Sequence, residues 1–75
     1  MSAKEMFEEL GYKQISNSVN YIIYNFEEKF ELRFSLPQQI IEIIGVPPFN
    51  TLDIGEIKAI NKQIEELGWM NKDEI

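Results

Sequence analysis

Apolar residues recur along this chain with two different periods, and the change of period divides it into elements. Ala3, Met6, Phe7 and Leu10 fall at i, i+3, i+4 and i+7, which is one face of a helix. Ser2 and Glu5 have the spacing of a capping box, and Gly11 stands where a left-handed residue ends a helix, with Tyr12 placed to touch Phe7. Further on, Ile54, Ile57, Ile60, Ile64 and Leu67 repeat the stripe and Asp53 with Glu56 repeats the box. Gly68, followed by Trp69 beside Ile64, repeats the stop. Gly55 in the first turn weakens this second helix by up to ~1 kcal/mol relative to Ala. Nothing upstream of either ending repeats, so shared capping physics explains the likeness rather than a duplication.

Between the helices the period is two. Phe30, Leu32, Phe34 and Leu36 alternate with Glu31, Arg33 and Ser35, the cleanest strand pattern in the chain. Val19 to Phe26, rich in β-branched and aromatic residues, precedes it, with Phe26 to Lys29 as the hairpin connection. Lys13 to Ser16 is a weaker strand, set off by the turn-forming Asn17-Ser18. Gln39 to Ile44 reads as a fourth strand or a short helix. Ser35 and Gln38 have capping-box spacing with Pro37 near a helix start, whereas four isoleucines in six residues favour the strand. Val46 to Asn50, with two prolines, reads as an extended connection. The whole predicts one α+β domain over residues 1–75: a three- or four-stranded antiparallel meander flanked by an N-terminal and a C-terminal helix, in two layers. Both helices need an apolar partner, so they share one sheet face and leave the other open.

The open face is where function is expected. Residues directly opposite in a hairpin share a face, so an even-numbered connection puts Val19, Tyr21 and Ile23 in the core with Phe30, Leu32, Phe34 and Leu36. It leaves Ile22, Tyr24 and Phe26 outside beside Glu31 and Arg33, and Ile40 and Ile44 join them if Glu42 points outward. Ile22, Tyr24, Phe26, Arg33, Ile40 and Ile44 are therefore the candidate interface, with Arg33 free to lie over Tyr24. A bulge would flip the parity and bury Ile22 and Tyr24 instead.

Composition narrows the chemistry. The chain has 75 residues, 7 Lys plus Arg against 13 Asp plus Glu for a net charge of −6, and neither cysteine nor histidine. No disulfide, thiolate or cysteine-based metal site is available, and the commonest general base is missing, so no catalytic residue, metal or cofactor is expected. An enzyme would need a site from Glu, Lys62, Tyr21 or Tyr24, which the sequence does not bring together. A single arginine and an acidic balance argue against gripping nucleic acid. The start of the chain has no apolar signal segment and no run long enough to span a membrane, so a cytoplasmic protein is expected. Glu8, Glu9, Glu65 and Glu66 sit in the last turns of helices, the wrong end for the helix dipole. They are either a solvated rim or part of an acidic surface that occupies a basic protein in the manner of nucleic acid.

The two ends, Lys4-Glu5-Met6-Phe7-Glu8-Glu9-Leu10-Gly11-Tyr12 and Ile57 to Trp69 (Ile57-Lys58-Ala59-Ile60-Asn61-Lys62-Gln63-Ile64-Glu65-Glu66-Leu67-Gly68-Trp69), resemble those of small uncharacterised proteins encoded by phages and prophages of low-GC Gram-positive bacteria. The resemblance covers about a third of the chain; Lys13 to Asn50 matches only in strand-like texture, and Ser35 to Pro48 departs most. It implies a bacterial cytoplasm and an accessory or host-takeover role, with no activity to transfer. The resulting expectation is a non-catalytic protein–protein interaction module, with a homodimer through the open face as its simplest form.

Overall fold

The computed structural model describes residues 1–45 and 51–69; the connection expected over Val46 to Asn50 lies outside them. The order is α1 (Ala3–Glu9), β1 (Lys13–Asn17), β2 (Tyr21–Phe26), β3 (Phe30–Ser35), β4 (Ile40–Gly45) and α2 (Ile54–Leu67). The strands form one antiparallel sheet in the order β1-β2-β3-β4. This is the α+β arrangement expected, with the fourth strand present.

Both helices start and stop as their residues dictate. Ser2 and Glu5 close one capping box and Asp53 and Glu56 the other, through bonds of 2.8 to 3.2 Å. The backbone hydrogen bond from Ser2 holds the Glu5 carboxyl below its ordinary range. At the far ends, Tyr12 N–H donates to the Phe7 carbonyl and Gly11 N–H to that of Glu8; Trp69 to Ile64 and Gly68 to Glu65 repeat the pair. These are two Schellman endings, with Gly11 and Gly68 left-handed at φ +99° and +74°.

One of the acids at the wrong helix ends, Glu66, has a partner that only the tertiary fold supplies. α1 packs on α2, so the last turn of α2 lies beside the first turn of α1, and Glu66 accepts from Ala3 N–H at 2.9 Å. One carboxylate thus serves the electropositive start of the neighbouring helix. At the other end of the pair the Tyr12 hydroxyl donates to Glu56, and burial followed by that carboxylate pushes the Tyr12 hydroxyl well up. Glu8 pairs with Lys4 at 3.1 Å, and Glu65 pairs with Lys62 at 3.2 Å, each within its own helix.

The core lies between helices and sheet: Phe7, Tyr12, Ile22, Tyr24, Phe30, Leu32, Phe34, Ala59 and Ile60. It has one polar seam. Gln14 donates to the Tyr24 hydroxyl at 3.3 Å, which donates to Gln63 at 2.6 Å, tying β1, β2 and α2. Gln63 is buried, and no buried side-chain polar atom among the described residues lacks a partner. The α2 stripe differs from its expected extent: Ile54 and Ile57 are exposed, and Ala59, Ile60 and Gln63 carry the burial.

Two turns set what each sheet face shows. The β2–β3 connection is Glu27-Glu28-Lys29, with Glu27 and Glu28 left-handed at φ 51° and 59° and Asn25 Oδ1 accepting from Glu28 N–H at 2.8 Å. The left-handed region disfavours side chains with a Cβ. Replacing Glu27-Glu28 by Asn-Gly, which suits that geometry, is expected to raise stability by about 1 kcal/mol in thermal unfolding. No gain would mean the turn is not left-handed. At the β3–β4 connection Gln39 N–H donates to the Ser35 carbonyl at 2.9 Å and Ser35 Oγ to Gln38 Oε1 at 3.1 Å. The cap-like spacing of Ser35 and Gln38 is real, but it makes a single helical turn that Gln39, at φ 56°, ends.

Candidate functional site

The odd count of residues in the β2–β3 connection decides which side chains face outward. With three residues in the turn, Phe26 pairs with Phe30, Tyr24 with Leu32 and Ile22 with Phe34, so all three β2 residues lie on the helix side. The expected placement of Ile22, Tyr24 and Phe26 outside is therefore corrected: Ile22 and Tyr24 are buried, and Phe26 is half-buried with its ring 5.3 Å from that of Tyr12. Tyr24 is 1% exposed and stacks on Phe7, and burial pushes its hydroxyl up. Arg33 is on the opposite face and cannot lie over it. The bulge weighed as a parity switch does exist, but in β1, between Gln14 and Ser16.

The residues expected inside take the outer positions. Tyr21 pairs with Ser35, Ile23 with Arg33 and Asn25 with Glu31. Val19 is 86% exposed between β1 and β2. On β4 the expected parity is the one found: Ile40 pairs with Ser35, Glu42 with Arg33 and Ile44 with Glu31. The bulge turns Ile15 outward beside Ser16, which lies opposite Ile23. Arg33, Ile40 and Ile44 are thus on the open face as expected, and sequence reasoning missed Ile15, Tyr21 and Ile23. One signal would have found the last two: Asn25, the single polar residue of β2, shares their parity and marks the wet side.

The face has an ordered layout. Its centre is charged: Arg33 Nε donates to the Glu31 carboxylate, which raises the guanidinium further, and Glu42 lies across from Arg33 on β4. Apolar side chains flank that centre on both sides. Ile15, Tyr21, Ile40 and Ile44 are all at least two-fifths exposed, and Ile23 is half-buried among them. Ser35, the polar residue between Tyr21 and Ile40, is buried by its neighbours and bonded to Gln38. Among the described residues, two shallow hollows border the face at opposite ends of the strands. One, of about 510 Å³, is lined by Gly11, Lys13, Ile15, Asn25, Glu27 and Glu28; the other, of about 250 Å³, by Asn20, Tyr21, Ser35, Pro37 and Gln38.

The larger hollow carries Lys13, Glu27 and Glu28 in its lining, and the smaller carries Tyr21 and Ser35. Among the described residues no group of three or more Asp or Glu comes together as metal ligands would, and no helix is long and apolar enough to cross a membrane. No protein-family model, no curated protein and no solved structure matches the chain.

Proposed function

We propose that this chain is a small non-catalytic protein-interaction module that works through the open face of its sheet. The observation that carries the proposal is the set of exposed apolar side chains, Ile15, Tyr21, Ile40 and Ile44 with Ile23 between them, spread over one face of a small protein. Several exposed apolar side chains gathered on one face of a small protein often mark a contact. The charged centre gives the partner a chemistry: Glu31 and Glu42 outnumber Arg33, so the fitting surface is apolar with a basic group opposite Glu42. Two copies stacked face to face would bring together two centres with the same excess of carboxylate, which favours a partner of different sequence over a face-to-face homodimer. The alternative is an acidic inhibitor or nucleic-acid mimic, which needs carboxylates arrayed towards a partner. Glu8, Glu31, Glu56, Glu65 and Glu66 each hold a partner within the fold, which favours the first reading. Placement in a bacterial cytoplasm, with a phage-borne accessory role, rests on the resemblance at the chain ends.

The test is capture of proteins from lysate of the cell that encodes the chain, comparing wild type with Tyr21→Lys and with Glu9→Lys on the far side of the molecule. A partner bound through the open face is retained by Glu9→Lys and reduced at least ~10-fold by Tyr21→Lys, since an exposed tyrosine is a common anchor of such contacts. Capture that is equal in all three would refute the assignment of the face.

A further inference from the structure

β4 ends the sheet on a flank that both layers leave apolar. Ile43 lies on the helix side, opposite Leu32; Leu32 is fully buried, yet Ile43 is 49% exposed. On the outer side of the same strand Ile40 and Ile44 are also exposed. The helix nearer this flank is α2, because α1 packs against β1 on one side and α2 on the other. Gly55 and Glu66 mark the side of α2 that meets α1, through Leu10 and Ala3. At about 100° per residue, Ile57 stands about 200° round from Gly55, on the far side. It is 41% exposed, and Ile54 one turn before it is 67% exposed.

The two edges of the sheet are built differently. β1 carries a bulge at Ile15 and a lysine at Lys13, devices that keep an edge from pairing with another chain. β4 pairs with β3 in unbroken register, with no bulge, lysine or proline; Glu42 is its only charge. No strand among the described residues covers its free edge.

We infer that β4 is a pairing edge for a second copy of this chain, antiparallel β4 to β4 about a two-fold axis normal to the sheet, which joins two four-stranded sheets into one. Such an axis keeps the helices of both copies on one side and sets the Ile57 flank of α2 towards the same flank of its partner, so both layers continue across the contact. A register centred on Ile43 puts Ile43 opposite its own copy, Glu42 opposite Ile44 and Ile41 opposite Gly45. Glu42 then never faces Glu42. The strand is self-complementary, as an isologous interface requires, and its exposed isoleucines resemble a core cut in half. The chain's charge of −6 repels its copy, a repulsion screened beyond about 8 Å at physiological salt, so association tightens as salt is added. The contact uses the edge and leaves the outer face open, so it stands independently of the partner proposed above.

Sedimentation equilibrium of the full chain tests it, with wild type, Ile43→Lys, Ile57→Glu and Tyr21→Lys at low and high salt, and circular dichroism to confirm folding. Wild type and Tyr21→Lys are expected to dimerise, more tightly at high salt; Ile43→Lys and Ile57→Glu are expected to weaken the dimer at least ~10-fold. Should Ile43→Lys not fold, Ile57→Glu decides: a weakened dimer supports the edge pairing and an unchanged one overturns it. A wild-type monomer at every soluble concentration also overturns it, as does a dimer that Tyr21→Lys breaks and Ile43→Lys spares.

Discussion

Phe7→Ala is expected to remove about 3–5 kcal/mol of the stability of this protein, at least about a quarter of the whole. Phe7 is fully buried, and its ring meets three other aromatic rings of the core. It stacks on Tyr24 with centroids 4.1 Å apart and meets Tyr12 and Phe34 edge-on at 5.4 and 6.3 Å. Truncating a core phenylalanine costs about 3–5 kcal/mol, because the transfer free energy is lost and the cavity collapses only in part. A chain of this length has roughly 4–11 kcal/mol in total at ~0.05–0.15 kcal/mol per residue. The loss also reaches the polar seam, because the Tyr24 ring that Phe7 supports carries the hydroxyl between Gln14 and Gln63. Thermal unfolding should show a midpoint lowered by at least ~12 °C, at about 4 °C or more per kcal/mol for a domain of this size. A fall of only a few degrees would mean that α1 does not dock on the sheet through Phe7.

Gly11→Ala is the second large effect, and Gly68→Ala is its internal control. Both glycines end helices in the left-handed region, where any residue with a Cβ is strained by about 1–2 kcal/mol. At Gly68 nothing lies within 4 Å of a new Cβ, so that strain is the whole cost. At Gly11 the Cβ would sit 2.9 Å from Cε2 of Phe26 and 3.4 Å from Cδ2, so the ring must also move. Overpacking of this kind adds about 1–3 kcal/mol, for a total of about 2–5 kcal/mol. Denaturant unfolding of the two variants should therefore differ by more than about 1 kcal/mol. Equal losses would place Phe26 away from Gly11 and would reopen the question of which face of β2 is buried.

That question divides what the sequence made legible from what it did not. The helices were legible to the residue, because Ser2–Glu5, Asp53–Glu56, Gly11 and Gly68 act through bonds spanning a single turn. The first three strands were legible as strands, because alternation and β-branching are local too; β4 was open between strand and short helix, because Ser35, Pro37 and Gln38 carry a helix-start pattern that the fold uses for a single turn. The parity of β2 was not, since it depends on the length of a turn whose residues hide it. Glu27 and Glu28 adopt positive φ without the glycine or asparagine that normally advertises it. One residue of difference in that turn exchanged Ile22, Tyr24 and Phe26 for Tyr21 and Ile23 on the open face, and only Asn25 pointed the other way. The acids at the helix ends were illegible for another reason: Glu66 meets Ala3 across 63 residues of sequence and Tyr12 meets Glu56 across 44. Neither contact has a local signature. Arg33, Ile40 and Ile44 lie on the open face as expected, because β3 alternates cleanly and Glu42, the one charged residue of β4, takes the outer side with them.

The absence of cysteine supplies the most direct measurement of the central claim, that the open sheet face is covered by a partner in the cell. A single introduced thiol is the only one in the chain, so its labelling rate by a maleimide reports one position. The comparison is between Tyr21→Cys on the open face and Glu9→Cys on α1, each measured in the cell that encodes the protein and on the purified chain. The account predicts slower labelling of Tyr21→Cys in the cell than when purified, and no such change at Glu9→Cys. Equal ratios at both positions, or protection at Glu9→Cys alone, would contradict it.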